Sequence, residues 1–286
     1  MMDIDLAEDG STPVPVSPVI FQDSLSKKRD LIPVVFIVNN VLKNKSHTQL
    51  DDLATKLLQF VKGKVSQAGK ARFSELQIDC DWTKTTRDNY FYLLKQIRSK
   101  IGGDKIALSA TLRLHQLKNL VSNGIPPVDR VMLMCYNMGN LRKYGDQNSI
   151  LEEAELRKYV GKNLTAYPMP VDVGLPLFSW AVAFRGSGYI GIPKKITEEV
   201  LRNDTLFTLT GKHRFIARND LSAYGLKKGD ELRWESVSVD ELQSAATYIA
   251  NYLKTDTTHV IYFHLDETLL KNYTYENLEK TTALFR

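Results

Sequence analysis

The chain has 286 residues, enough for one large domain or two of ordinary size. Hydrophobic residues make up 43% and charged residues 25%, which places it among globular proteins of ordinary composition. The net charge of +5 is small against 38 basic and 33 acidic residues, and the nearest basic run, Lys27-Lys28-Arg29, reads as a solvated loop, so a nucleic-acid partner is set aside. Two cysteines, Cys80 and Cys135, sit in strand-like runs and make no disulfide framework. No apolar run is long enough to span a membrane, and the opening Met1-Met2-Asp3-Ile4-Asp5 is not a signal peptide. The histidines show no metal-ligand spacing and no glycine-rich phosphate loop occurs, so no metal or cofactor is expected.

In chain order, residues 9–30 read as an extended segment in which Pro13, Pro15 and Pro18 alternate with valines. Leu31 to Val38 is apolar on both faces, as a buried parallel strand must be. An amphipathic helix follows over Thr48–Lys64, with Leu50, Leu53, Leu57 and Val61 on one side. A strand from Phe73 leads to Asp81, and a helix from about Lys84 to Lys100 stops at Gly102-Gly103. Ile106–Leu114 is the next strand, followed by only a short helix, and Val131–Tyr136 the next. Ser149 with Glu152 reads as a capping box opening a helix to about Val160. Val171–Phe184 reads as one strand. Phe207 to Phe215 looks like a hairpin turning at Gly211, and Glu231–Val237 like a short strand. Ser238 with Glu241 opens another capped helix. Val260–Phe263 is a final strand, and a helix near Tyr275–Phe285 closes the chain. Strands alternating with helices imply a parallel sheet with right-handed crossovers, and residues 186–236 an antiparallel insertion.

The most informative stretch is Ile78-Asp79-Cys80-Asp81-Trp82-Thr83. In a strand, Gln77, Asp79 and Asp81 share a face, with the two carboxylates roughly 6–7 Å apart. Paired acids repel, so one tends to keep its proton, as acid/base catalysis requires. The same residues also suit a helix cap and an ion pair.

These residues resemble the chitinase-type glycoside hydrolases (family eighteen). In that family the fourth barrel strand ends Asp-x-Asp-x-Glu, the sixth Met-x-Tyr-Asp, and the seventh begins Gly-Leu-Pro-Phe-Tyr. Here the corresponding runs are Asp79-Cys80-Asp81-Trp82-Thr83, Met134-Cys135-Tyr136-Asn137 and Gly174-Leu175-Pro176-Leu177-Phe178. Many members carry a small α+β insertion before the seventh helix, where the interruption falls here. The resemblance covers roughly residues 31–286 and implies a (β/α)8 TIM-type barrel, closest to an uncharacterised bacterial group. Two departures matter. The family's Glu protonates the glycosidic oxygen, but Thr83 stands there, and Asn137 replaces the second strand-end acid. Losing a general acid costs roughly 10²–10⁴-fold in rate. Thr83 is expected to cap the following helix instead.

If the Asp-x-Asp strand is the fourth, Leu31–Val38 is the third, and the first one to two βα units are absent. Residues 1–30 are then a remnant of strand two and a loop, 31–185 barrel strands three to seven, 186–236 the insertion, and 237–286 barrel helix seven to helix eight. An N-terminal truncation is expected, with bare parallel strand edges, and any export signal would lie in the missing part. Candidate catalytic residues are Asp79, Asp81 (the acid nearer the barrel mouth, tuned by Asp79) and Glu267, which with Asp266 follows the last strand. Candidate sugar-binding residues are Tyr136, Asn137, Trp180, His115, Arg113 and Arg185, with Trp82 expected to pack between strand and helix. The expectation is a carbohydrate-active protein acting on a poly- or oligosaccharide, a glycoside hydrolase with altered acid/base residues. The alternative is a non-catalytic glycan-binding or scaffold protein.

Overall fold

A computed structural model describes residues 2–102, 105–254 and 257–286. The chain divides into two compact units, Met1–Leu133 with Tyr167–Asp172, and Met134–Ala166 with Val173–Arg286.

The first unit contains β1 (Met2–Leu6), β2 (Pro13–Val16), β3 (Val34–Ile37), α1 (His47–Gln67), β4 (Glu75–Cys80), α2 (Arg87–Ile101), β5 (Ala107–Arg113), the short α3 (Leu114–Lys118) and α4 (Leu120–Asn123), and β6 (Arg130–Met134). Its strands lie in the order β2-β1-β3-β4-β5-β6, with β1, β3, β4 and β5 parallel. This is the strand–helix alternation of a TIM-type barrel. The alternate residues Leu76, Ile78 and Cys80 of β4 are fully buried on the helix side, as are Leu50, Leu57 and Val61 of α1 and Tyr90, Leu93, Leu94 and Ile97 of α2. Trp82 continues that row: its ring stacks on Tyr90 at 5.1 Å and its Nε1–H donates to the Asn123 carbonyl at 3.0 Å. Ser46 and Gln49 form a capping box at the start of α1.

The edge of β1 away from β3 is not bare. The segment expected to be merely extended returns as β2 and pairs antiparallel with β1, with Asp5 opposite Val14 and Asp3 opposite Val16. The Ala7 N–H donates to the Thr12 carbonyl, so the alternating hydrogen-bonded pairs put the Val14 and Val16 amides toward β1. The nitrogens of Pro13 and Pro15 then face outward, where a strand needs no donor. The Pro-Val-Pro-Val pattern thus makes a blunted edge strand.

The second unit contains α5 (Glu153–Tyr159), α6 (Gly161–Thr165), the end of β7 (Val171–Pro176), β8 (Trp180–Arg185), β9 (Gly188–Gly191), α7 (Glu198–Leu201), β10 (Phe207–Leu209), β11 (Arg214–Ala217), β12 (Glu231–Glu235), α8 (Val239–Ala250), β13 (Val260–Phe263), α9 (Glu267–Leu270) and α10 (Tyr275–Ala283). Here β7 pairs in parallel with β13. The other five strands form an antiparallel sheet in the order β10-β11-β12-β8-β9, packed on a core of Ala181, Ala183, Ile196, Leu201, Phe207, Phe215 and Leu232. The hairpin around Gly211 and the Ser238–Glu241 capping box are present as expected.

Three local expectations are corrected. The run Val171–Phe184 is two strands, because Trp180–Arg185 leaves β7 and pairs antiparallel with β12. Thr83 does not cap α2, which starts at Arg87. The Thr83 carbonyl instead accepts from the Thr86 and Arg87 amides in a turn that precedes the helix. Ser149 caps no helix either: α5 begins at Glu153, and the Ser149 amide and hydroxyl are taken by the buried carboxylate of Glu235.

The β2 pairing makes a test. Val14→Pro removes a ladder donor and should cost about 1–3 kcal/mol, whereas Pro15→Val should leave unfolding stability nearly unchanged. Denaturant midpoints of the two variants check this, and equal losses would contradict the assigned edge.

Candidate functional site

Glu75, Gln77, Asp79 and Asp81 lie at alternate positions from β4 into the residue after it, on the face opposite Leu76, Ile78 and Cys80. Polar side chains at these depths need partners, and β5 supplies them in register. The Ser109 hydroxyl donates to Glu75, and Gln77 Nε2 donates to Ser109 Oγ at 3.4 Å. The Thr111 hydroxyl donates to Asp79 Oδ1 at 2.6 Å. Arg113, the last residue of β5, binds Asp81 through Nε and Nη2, the latter at 2.8 Å from Oδ2. Ser109, opposite Gln77, thus serves both Gln77 and, diagonally, Glu75, whose own neighbour is Ala107.

The Asp79 row extends the other way. Phe36 of β3 is opposite Asp79, and Asp3 of β1 is opposite Phe36. Burial holds the Asp79 carboxyl above its usual range; the Thr111 hydrogen bond and Arg113 oppose this, and the charges of Asp81 and Asp3 reinforce it. Asp81 is different in kind. Its side chain is 45% exposed and both its oxygens face one guanidinium. Such a pair contributes only about 0.2–1 kcal/mol to stability, but it occupies the carboxylate. The acid expected to act is therefore the one tied to a cation, and the residue expected to tune it carries the raised affinity for a proton.

His115 stands two residues past Arg113, the spacing of a shared strand face, but the strand ends at Arg113 and His115 lies in the short α3, its imidazole pushed toward the neutral form by partial desolvation and then by the Arg113 charge, against Asp81. Gln116 fixes this corner, its side chain accepting from the Arg113 amide at 2.8 Å and donating to the Trp82 carbonyl at 3.2 Å. Thr83 is exposed, its hydroxyl within 3.0 Å of that of Thr85.

The remaining candidates belong to the second unit. Tyr136 is buried, stacked on Phe263 at 5.2 Å and edge-on to Phe178 at 5.9 Å. Asn137, exposed, takes a left-handed backbone with φ 54°. Trp180 is half-buried beside Phe178, and its Nε1–H donates to Glu235 Oε2 at 2.9 Å. Arg185 lies at the end of β8 in the antiparallel sheet, bound at 2.7 and 2.8 Å to the buried Asp230. Glu267 is exposed in the first turn of α9, where Asp266 is the N-cap and accepts from the Thr268 and Leu269 amides. Asp79, Asp81, Arg113 and His115 are therefore brought together in one unit, and the other five candidates are dispersed in the second.

Sequence reading missed Thr111, Asp3, Arg233 and Glu235. Thr111 and Asp3 had a signal, polar residues alternating with apolar ones in strands. Arg233 and Glu235 alternate in the same way within the short strand read over Glu231–Val237, but alternation alone does not mark a charged row as buried. Both cysteines are buried, and burial pushes their thiols well above the ordinary range, so they act as small apolar groups. Among the described residues no group of three or more His, Cys, Asp or Glu could hold a metal ion, and no helix is long and apolar enough to cross a membrane.

The raised proton affinity of Asp79 sets a pH dependence. Its contribution to stability is full below the unfolded value of about 3.9 and is lost as pH rises through the higher folded value. Asp79→Asn keeps an oxygen for Thr111 and never ionises. Its melting temperature should match or exceed the parent's at pH 7, and the difference should close toward pH 3. A variant clearly less stable at pH 7 would contradict the burial argument.

Neither family models nor curated sequences match the chain. Solved structures do. A chitinase from Chromobacterium violaceum superposes with a TM-score of 0.53 at 13% identity, over 89% of this chain and 80% of that one. The spore cortex-lytic enzyme SleL of Bacillus megaterium gives 0.53 at 14% identity, over 95% of this chain and 66% of that one. SleL of Bacillus cereus gives 0.50 at 16% identity, over 85% and 60%. The chain thus spans less than two thirds of either SleL. Identities this low speak for architecture alone, and with the parallel strand–helix units, the antiparallel sheet and the Asp-x-Asp strand they establish that this chain has the fold of the chitinase-like glycoside hydrolases.

Proposed function

We propose that this chain is a glycan-binding protein on a chitinase-like scaffold, without the hydrolytic chemistry of the resembled family. The observation that carries this reading is the two-point attachment of Arg113 to Asp81. A general acid must hold a proton near working pH and release it to the leaving oxygen. A carboxylate whose two oxygens both accept from one guanidinium has those oxygens engaged and turned toward the cation, not toward a leaving group. Thr83, at the family's Glu position, offers only a hydroxyl. The fold of the neighbours supports a sugar as the ligand class, and their chitinase and cortex-lytic descriptions favour β-linked amino-sugar oligomers.

In this reading Arg113 and His115 are the side chains of the first unit that contact sugar. Within the second unit Asn137 and Trp180 do so, Tyr136 supports them from the aromatic cluster, and Arg185 and Glu267 take no part. One observation favours the alternative of an altered hydrolase: Asp79 holds its proton above the usual range, as a general acid would.

A hydrolysis screen with chitohexaose, run beside a direct binding measurement, separates the two readings. The parent protein, Asp81→Asn and Glu267→Gln should all bind the oligosaccharide without turnover. Turnover by the parent that falls about 10²–10⁴-fold in Asp79→Asn would establish the hydrolase instead.

A further inference from the structure

The alternation of β12 has an unusual side. Leu232 and Trp234 face the apolar core of the antiparallel sheet, but the opposite row is Glu231, Arg233 and Glu235. The Arg233 and Glu235 side chains are only 2% and 1% exposed, with Nη2 and Oε1 at 2.6 Å. Burying two charges is unfavourable unless every remaining donor and acceptor is met. Arg233 Nη1 donates to the carbonyls of Lys143 and Gly145, both at 2.9 Å, and Nη2 reaches that of Leu141 at 3.4 Å. The Phe184 ring lies 5.1 Å from the guanidinium. Glu235 Oε2 accepts from the Ser149 amide and hydroxyl and from the indole of Trp180. The partners therefore come from the loop between β6 and α5 and from the first residue of β8. The loop is doubled tightly on itself: a Cβ on Gly139 would stand 2.8 Å from the Ser149 Cα, so only glycine fits.

We propose that Glu235, held by Arg233, is a positioning residue that fixes the Trp180 indole and the residue 141–149 loop as a preformed wall for a sugar ring. The inference rests on the glycan-binding reading above. The half-buried Trp180 ring lies against Phe178 at 5.1 Å, and its Nε1–H bond to Glu235 sets which way the indole edge points. A ring fixed in advance spares the ligand the entropy of ordering it. A sugar stacks on such a face through its C–H groups, so orientation of the indole decides affinity. The antiparallel sheet then acts as the frame of the binding wall.

The test uses the full chain, which has three tryptophans, so the indole N–H resonances can be assigned with Trp180→Phe. Glu235→Gln should move the Trp180 indole resonance in the absence of ligand and weaken chitohexaose binding about 2- to 10-fold, the ordering cost of one side chain. Trp180→Phe in the Glu235→Gln background should add little further loss. Ser149→Ala removes one hydroxyl donor to the same oxygen and should move the resonance the same way by less, which keeps the test open if Glu235→Gln folds poorly. An unmoved resonance, or unchanged affinity in folded Glu235→Gln, overturns the positioning role. Absence of binding by the parent overturns the glycan reading, and the ligand-free resonance tells that failure from this one.

Discussion

Each polar side chain on the inner row of β4 has to find a partner on the strand beside it, and the rest of the first unit is arranged around that requirement. A parallel strand covered by helices has one face given to apolar packing, here Leu76, Ile78 and Cys80. The other face carries Glu75, Gln77, Asp79 and Asp81, and water does not fully reach it. The answering residues Ser109, Thr111 and Arg113 of β5 have the same two-residue spacing, so one register satisfies the whole column. A slip of one residue would leave these groups unpaired and bury apolar side chains in their place. The column therefore fixes the register of β4 on β5, and with it the height at which Asp81 and Arg113 emerge.

The same column changes what the acid pair can do. Two carboxylates on one strand invite the expectation of a proton shared between them. Arg113 breaks that symmetry by taking the outer one, and the inner one remains under burial with a hydroxyl donor. The pair is split into an ion-paired group and a group that resists ionisation.

In the second unit the organising interaction is also electrostatic, but its setting is different. Arg113 and Asp81 meet at partial exposure, where solvent competes. Arg233 and Glu235 meet out of water, and their remaining donors and acceptors engage six backbone or side-chain groups from a loop and a strand start. Removing one partner of such a pair is far more damaging than replacing both, because an unpaired buried charge is left behind. Loop geometry next to a candidate ligand wall is thereby tied to the antiparallel sheet.

The alternation of strands and amphipathic helices, the hairpin at Gly211, the Ser238 cap and the packing of Trp82 were all legible in the chain, because each depends on a repeat or a contact within a few residues. The Asp-x-Asp strand and the threonine that follows it were legible for the same reason. What the tertiary structure alone decided is which groups meet. Ser149 looked like a cap and is claimed by Glu235, 86 positions away. Arg113 lies 32 positions from Asp81, yet the register of two strands makes it the group that neutralises the outer acid. Residues 13–16 carried the prolines of an extended segment, but only pairing with β1 made them an edge strand. Local periodicity says which face a side chain occupies. The partner on that face is set by strand register and loop closure, which no window of sequence contains.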